Sequence, residues 1–159
     1  MNAIKLSLVL LGCLGSMVSL PALAQAQTGQ ITYVNAVYDV VRDGKKGMLI
    51  QIDADVNNLR GQQVNFAAYF FFANGKRLPA IPGAGKYGTP DGQVTTQRKE
   101  IPLYDVTRFT NAELFIPYFE LTGGISPLNL MYQVEIQYTN GGGQNILLNR
   151  SANKYFNIK

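Results

Sequence analysis

The sequence contains no histidine, no tryptophan and a single cysteine, Cys13. Without an imidazole, the Ser-His-Asp and Cys-His nucleophile arrangements, histidine metal sites and histidine pH switches are all excluded. Charged residues are scarce as well, at 15% of the chain, where soluble domains usually have roughly 25%. The 159 residues instead include 16 glycines, nine tyrosines and eight phenylalanines. This composition is typical of sheets joined by glycine turns, and the length suggests one domain.

Residues 1–24 have the pattern of a secretory signal peptide. Lys5 precedes an apolar run over residues 6–14, and small residues follow as far as the A-x-A sequence that ends at Ala24. Cleavage after residue 24 or after residue 26 fits this pattern equally well. The apolar run is shorter than the roughly 20 residues of a membrane-spanning helix. We therefore expect an exported protein, periplasmic or secreted, without a transmembrane span.

Cys13 lies inside the expected signal peptide, in the sequence Leu10-Leu11-Gly12-Cys13, which resembles a bacterial lipobox. A lipoprotein anchored through Cys13 is thus the alternative to ordinary cleavage. Against it, Leu11 is large for its position and the apolar stretch before it is short. Ordinary cleavage removes Cys13, and the mature domain then has no disulfide and must be stabilised by its core.

From Ile31 onward, apolar and polar residues alternate and turn residues interrupt the alternation, which predicts β-strands. The expected strands cover residues 31–41, 48–57, 64–73, 93–99, 112–116, 128–139, 144–148 and 154–158. Leu78 to Gly92 is expected to be a long loop, and residues 118–121 a single helical turn. Seven or eight strands predict one all-β domain over residues 30–159, an antiparallel β-sandwich of Ig-like or C2-like type. A small closed barrel is the alternative.

Several short sequences also form a familiar pattern. They are Val37-Tyr38-Asp39, Asp43 to Ile50, Ala67 to Phe70, Asn74-Gly75, Leu78, Tyr87, Thr89, Asp91-Gly92, Phe115 to Tyr118 and Glu120-Leu121. Together they cover most of the mature chain and resemble a small accessory domain of bacterial exported proteins, which also occurs beside caspase-like and repeat modules. The resemblance implies a β-sandwich and implies no reaction. We expect the domain to act alone or through a separate partner.

A basic end is the first candidate binding surface. If the first three strands run up, down and up, two turns rich in Lys and Arg leave the same end of the molecule, and the next loop adds one more lysine. The six residues are Arg42, Lys45, Lys46, Lys76, Arg77 and Lys86. Such a cluster favours an anionic partner, such as a phosphorylated glycan, lipid headgroups or an acidic protein. The alternative is that these cations keep hairpin tips soluble and protect sheet edges.

Loop aromatics are the second candidate binding group. Tyr87, Tyr104 and Tyr118 lie in or beside predicted loops, where a ring with a polar tip suits contact with a glycan or a protein. The alternative is that they are packing residues, and Tyr118 has the most apolar neighbours. The sequence has no basic stripe with interleaved aromatic residues, so a nucleic-acid partner is not expected.

Carboxylates are the only acid–base groups that remain. Asp53 and Asp55 are two residues apart on a predicted strand, so they share one face, which we expect to be exposed. Asp91 and Asp105 lie in predicted loops. The spacing of the aspartates matches neither an EF-hand nor a glycine–aspartate repeat, and the glycines form no phosphate-binding loop. We therefore expect no metal site and no cofactor.

These observations together predict an exported, non-catalytic binding or accessory domain that recognises a protein or an envelope component. Two alternatives remain. The first is a hydrolase of cell-wall glycans that uses two acids from Asp53, Asp55, Asp91 and Asp105 in one cleft. The second is a small inhibitor or immunity-type protein that inserts the loop from Leu78 to Gly92 into the active site of its target.

Overall fold

The computed structural model describes residues 25–126 and 128–159. The strands are β1 (Thr28–Arg42), β2 (Lys45–Asn57), β3 (Val64–Phe72), β4 (Thr95–Glu100), β5 (Val106–Pro117), β6 (Leu128–Thr139), β7 (Asn145–Arg150) and β8 (Lys154–Ile158). A five-residue helix, α1 (Tyr118–Thr122), follows β5, and a single 3-10 turn (Gly85–Tyr87) lies in the loop before β4. The signal segment expected at residues 1–24, Cys13 included, lies outside the described residues.

The eight strands form two antiparallel sheets. Sheet A has the order β1-β2-β5, and sheet B has the order β4-β3-β6. Strands β7 and β8 pair with the two halves of β6 along its other edge. The predicted all-β sandwich is thereby confirmed. Within the described residues, no helix has the length and the apolar character that crossing a membrane requires.

The core lies between the two sheets and follows from the period-two alternation. On β2, Ile50 and Ile52 are fully buried, whereas Asp53 on the opposite face is half-exposed. On β3, the fully buried Phe66 contacts Phe109 of the opposing sheet edge-to-face, with 5.2 Å between the ring centroids. Burial of each large apolar side chain of this kind contributes about 1.5–3 kcal/mol to folding.

The β1–β2 hairpin is set by the dipeptide Asp43-Gly44. Both residues have positive φ, 50° and 71°, as a two-residue type I′ turn requires, and Arg42 pairs directly with Lys45. Gly47 then brings β2 very close to β5. A Cβ atom at this position would lie 2.2 Å from the carbonyl oxygen of Ile116, so only glycine permits this approach.

The structure differs from the predicted strand limits mainly in β5, which begins at Val106 and not at residue 112. Its first half is dominated by polar residues because only Phe109 faces the core there. A bulge at Asn111, whose φ is 55°, also shifts the register against β2. Because of both features, the first half of β5 does not show the alternation of apolar residues that predicts a strand.

The loop over residues 78–92 is held against sheet B. Leu78 and Tyr87 are buried in the core cluster. Backbone bridges join Pro79 to Gln93 and Gly88 to Val94. The loop therefore packs along the sheet, and its last part lies beside the outer face of that sheet.

Candidate functional site

The candidate functional site is the outer face of sheet B, where two of the cavities lie. Because Val64, Phe66 and Ala68 point into the core, the residues between them on β3 point outward. The register places side chains of β4 and β6 on either side of them. We call this surface the amide face; it comprises Asn65, Ala67, Tyr69, Thr95, Gln97, Lys99, Gln133, Glu135 and Gln137.

Two adjoining cavities lie on the amide face, with volumes of about 390 and 560 Å³. Tyr69, Thr89 and Pro90 line both of them, so the loop after the 3-10 turn stands between the two. The smaller cavity extends over Asn65 toward the β6–β7 loop. The larger cavity extends over Glu135 toward β7. The two lie side by side across the sheet, and we call them together the groove; each volume is in the range of small-molecule sites, about 300–1,000 Å³.

Asn65 is the residue in this groove that sequence reasoning missed. Its side chain is only 4% exposed. Its Nδ2 donates to Oε1 of Gln97 at 3.1 Å, whereas its Oδ1 is buried without a hydrogen-bond partner among the described residues. A buried, unpaired acceptor costs about 1–3 kcal/mol. Because Oδ1 is covered in this structure, a donor from outside the chain satisfies it only after the neighbouring side chains move.

A second polar group lies beside it, around Gln137. The Nε2 atom of Gln137 donates to Tyr69 Oη at 3.2 Å and to Glu135 Oε2 at 2.6 Å. Arg150 donates from Nε to Glu135 Oε1 at 2.7 Å. Burial raises the pKa of Tyr69, so its hydroxyl stays neutral at physiological pH. These contacts fix the side chains that line the groove and balance the charge of Glu135.

The candidate basic end contains two turns at one end of the sandwich. Lys46 lines a cavity with the end of β8, and β8 ends beside the start of β6. The turn after β3 also lies beside the start of β6, because the N–H of Ala73 donates a hydrogen bond to the carbonyl of Asn129. The two turns therefore lie at the same end of the sandwich, as the up, down and up order of the first three strands predicts.

The cations of these two turns do not form one patch. Arg42 lies over the ring of Phe115 and pairs with Glu113, with 2.5 Å between Nη2 and Oε2. Lys46 pairs with Asp39, and Arg77 pairs with Asp91. Lys86, in the loop that follows, lies over the ring of Tyr87. Within the described chain, Lys45 and Lys76 make no ion pair.

The ion pairs also hold their carboxylates in the charged form. The hydrogen bond from Arg42 lowers the pKa of Glu113, and the hydrogen bond from Lys46 lowers the pKa of Asp39. The pKa of Asp91 is lowered first by Thr89 and then by Arg77. Much of the positive charge at this end is therefore compensated by neighbouring carboxylates.

The three candidate tyrosines lie in three different environments. Tyr87 is 8% exposed and belongs to the core. Tyr118 is half-buried, and its hydroxyl accepts a hydrogen bond of 2.9 Å from the backbone N–H of Asp39. Tyr104 is 69% exposed and lies in a loop with other exposed apolar side chains, among them Leu103. The structure therefore does not bring these tyrosines together.

The candidate carboxylates are likewise dispersed. Asp53 and Asp55 share the outer face of sheet A, whereas Asp91 lines the groove on sheet B. The groove holds a second carboxylate, Glu135, and each of the two is held by an arginine. Across residues 25–126 and 128–159, no cluster of three or more Asp, Glu, Cys or His side chains is placed to hold a metal ion.

One signal in the sequence points to the amide face. The segment from Val64 to Phe72 contains a single polar residue, Asn65, in an otherwise apolar central strand. Such a residue lies on the outward face and needs partners there. The identity of those partners, on β4 and β6, follows only from the register of the sheet.

Fold and site together define an all-β sandwich with a polar groove across the outer face of one sheet. No protein-family model matches the chain, and no curated protein has significant similarity to it. The resemblance to an accessory domain of bacterial exported proteins stays a prediction.

Proposed function

We propose that this chain is an exported, non-catalytic binding domain that recognises a component of the bacterial envelope, and that the amide face is its binding surface. The proposal rests on one observation, the groove formed by the two adjoining cavities above Asn65 and Tyr69. Most of the side chains that line it are polar, and those of Asn65, Gln97 and Gln137 are hydrogen-bonded to neighbours and carried by paired strands. Rigid strands position such groups better than mobile loops do.

A binding role is supported by the state of the carboxylates in the groove. A general acid must carry a proton near neutral pH, which requires a raised pKa. The pKa of Asp91 is instead lowered by hydrogen bonds from Thr89 and Arg77. Glu135 accepts hydrogen bonds from Gln137 and Arg150 on its two oxygens. Asp91 is therefore poorly suited to donate a proton, and Glu135 is a fixed hydrogen-bonding partner in the groove.

The amide face is also better supported than the two surfaces that the sequence suggested. At the basic end, Arg42, Lys46 and Arg77 are already bound to carboxylates of the same chain, which reduces their attraction for an anionic partner. The loop from Leu78 to Gly92 is packed along sheet B by its buried residues. A loop that enters the active site of a target must instead protrude.

The test is sedimentation of the exported, processed protein with the insoluble envelope fraction of its source bacterium. The variant Gln97→Tyr places a large side chain in the smaller cavity, which the exposed Gln97 lines. Tyrosine is well suited to a strand. The matched control is Gln51→Tyr, on the middle strand of sheet A and facing outward.

We expect the wild type and Gln51→Tyr to sediment with the envelope and Gln97→Tyr to remain in solution, with all three folded by circular dichroism. Equal sedimentation of Gln97→Tyr and the wild type would contradict the assignment of the amide face. Release of soluble sugars from the envelope fraction by the wild-type protein would contradict the non-catalytic role and favour the glycan hydrolase.

A further inference from the structure

The groove on the amide face is nearly balanced in charge. Five charged side chains line its two cavities, and four of them form the ion pairs Arg77–Asp91 and Arg150–Glu135. Lys99 is the fifth. Charged ligands are attracted by clefts lined with one sign of charge. The excess in this groove is one positive charge, that of Lys99, so its ligand is recognised mainly by hydrogen bonding and contact.

Most of the neutral hydrogen-bonding side chains in the groove are amides. They are Gln63, Asn65, Gln93, Gln97, Gln133, Gln137 and Asn145. An amide offers both donors and acceptors, and a hydroxyl group likewise both donates and accepts. A surface of amides therefore matches a ligand that carries many hydroxyl groups. The buried Oδ1 of Asn65, which has no partner among the described residues, is an acceptor for one of those hydroxyl protons.

Aromatic surface adjoins these amides. Tyr69 and Phe71 are two residues apart on β3 and so lie on the same face of sheet B, and both line the larger cavity. Aromatic rings bury apolar faces of a ligand, and the tyrosine hydroxyl adds a polar tip. A sugar ring combines an apolar face of C–H groups with a rim of hydroxyl groups. A sugar ring can therefore contact the aromatic rings and the amides of the groove at the same time.

An extended peptide fits this surface less well. Peptides that bind to sheets do so chiefly by adding a strand to a free edge. The groove instead runs over β3 and β6, each of which is paired on both sides, and reaches β4, which is paired with β3 on one side. The backbone N–H and C=O groups of β3 and β6 are therefore occupied, which leaves recognition there to the side chains.

From these observations we infer that the amide face binds a neutral oligosaccharide, with Asn65 Oδ1 accepting a hydrogen bond from a sugar hydroxyl. The two adjoining cavities have room for linked rings. This inference names the ligand class of the envelope-binding role proposed above and rests on that role.

The test is titration calorimetry of the exported, processed protein with four tetrasaccharides. Three are neutral, namely the β-1,4 and α-1,4 oligomers of glucose and the β-1,4 oligomer of N-acetylglucosamine. The fourth, an oligomer of galacturonic acid, is anionic. The variants are Asn65→Ala and Gln97→Ala on the amide face, and Asn35→Ala on β1 is the matched control. Asn35 also forms an amide–amide hydrogen bond, to Gln51, on sheet A.

We expect at least one neutral tetrasaccharide to bind with an affinity that 0.5 M salt does not change. We expect Asn65→Ala and Gln97→Ala to weaken this binding about tenfold, since each removes part of a neutral hydrogen-bonding group. Asn35→Ala should bind as the wild type does. Gln97 is exposed, so its variant tests the site even where Asn65→Ala fails to fold.

Failure of all three neutral sugars to bind would overturn the inference. So would equal binding by Gln97→Ala and the wild type, or tighter, salt-sensitive binding of the anionic oligomer. The sedimentation experiment separates these results from failure of the binding role. If Gln97→Tyr loses the envelope while no neutral sugar binds, the amide face recognises another ligand, such as a protein. If Gln97→Tyr keeps the envelope, the amide face is not the binding surface.

Discussion

Arg108 on β5 donates two hydrogen bonds to the carboxylate of Asp55 on β2. The Nε atom lies 2.7 Å from Oδ1, and Nη2 lies 3.0 Å from Oδ2. Two residues earlier on β2, Asp53 accepts a hydrogen bond of 2.7 Å from the backbone N–H of Asn111. The two aspartates that the sequence offered as an acid–base pair thus each join β2 to β5. Their contacts explain how the bulge in β5 is held against its neighbour.

The pairing with Arg108 predicts a specific dependence of stability on pH. The hydrogen bond from Arg108 lowers the pKa of Asp55 below its ordinary value. Stability from a lowered pKa is present above the ordinary carboxyl pKa of about 4 and is lost as the pH falls through the folded-state value. We expect Asp55→Asn to unfold at a lower temperature than the wild type at pH 7, and the difference to shrink as the pH falls below about 4.

Thermal unfolding by circular dichroism at pH 7 and at several lower pH values measures this difference. The control is Arg108→Gln, which removes the partner and should give the same pH dependence as Asp55→Asn. The double variant should add little to either single change. A difference between Asp55→Asn and the wild type that does not change with pH would show that the pair is not the cause.

Gly47 should tolerate no side chain. Because a Cβ atom there would lie 2.2 Å from the carbonyl oxygen of Ile116, Gly47→Ala must push β5 away from β2. We expect it to destabilise the protein by about 1–3 kcal/mol in urea unfolding. The control is Gly141→Ala, where no atom lies within 4 Å of the new Cβ. It should be neutral or stabilise the protein by about 0.5 kcal/mol. Equal effects of the two changes would contradict the close approach.

Two candidate tyrosines should differ sharply in their effect on stability. Tyr87 is buried, and Tyr87→Ala should cost about 3 kcal/mol in urea unfolding, because it leaves a cavity under the loop. Tyr104 is exposed, and Tyr104→Ala should change the free energy of unfolding by less than about 0.5 kcal/mol. A large cost at Tyr104, or none at Tyr87, would show that the loop packing differs from this structure.

The basic end, unlike the amide face, should not be needed for binding to the envelope fraction. Lys45 and Lys76 are exposed and make no ion pair within the described chain. Their reversal to glutamate therefore changes the charge of this end without breaking an internal contact. We expect the double variant Lys45→Glu, Lys76→Glu to sediment with the envelope fraction as well as the wild type does. Its loss from the pellet, together with release of the wild type by 0.5 M salt, would favour the basic end as the binding surface.

Most of the fold could be predicted from the sequence, because one buried face imposes a period of two on each strand. The limits of β6 at Leu128 and Thr139 and of β8 at Lys154 and Ile158 were predicted correctly for this reason. The first half of β5 was missed because it buries little apart from Phe109. The sequence also placed Asp53 and Asp55 on one outward face, but it contained no sign that Arg108 and the N–H of Asn111 bind them.

The site was harder to predict, because the groups that form it are far apart in the chain. Asn65, Gln97 and Gln137 are ordinary polar residues in three separate segments, and none belongs to a recognisable motif. Only the pairing of β3 with both β4 and β6 brings their side chains together. The cations show the same limit. Strand direction grouped Arg42 with Arg77, but Arg42 is bound by Glu113 on β5 and Arg77 by Asp91 in the loop before β4.

The sequence by itself determined what this protein lacks and how its strands alternate. Without histidine, imidazole chemistry is excluded in any fold, and the period-two pattern of apolar residues requires sheets with one buried face. The tertiary structure alone decided which polar side chains meet. Register and the packing of the loop from Leu78 to Gly92 are properties of the whole sandwich, and they bury Asn65 beside Gln97 while they disperse the charges. An unpaired acceptor in a charge-balanced groove arises only from that assembly.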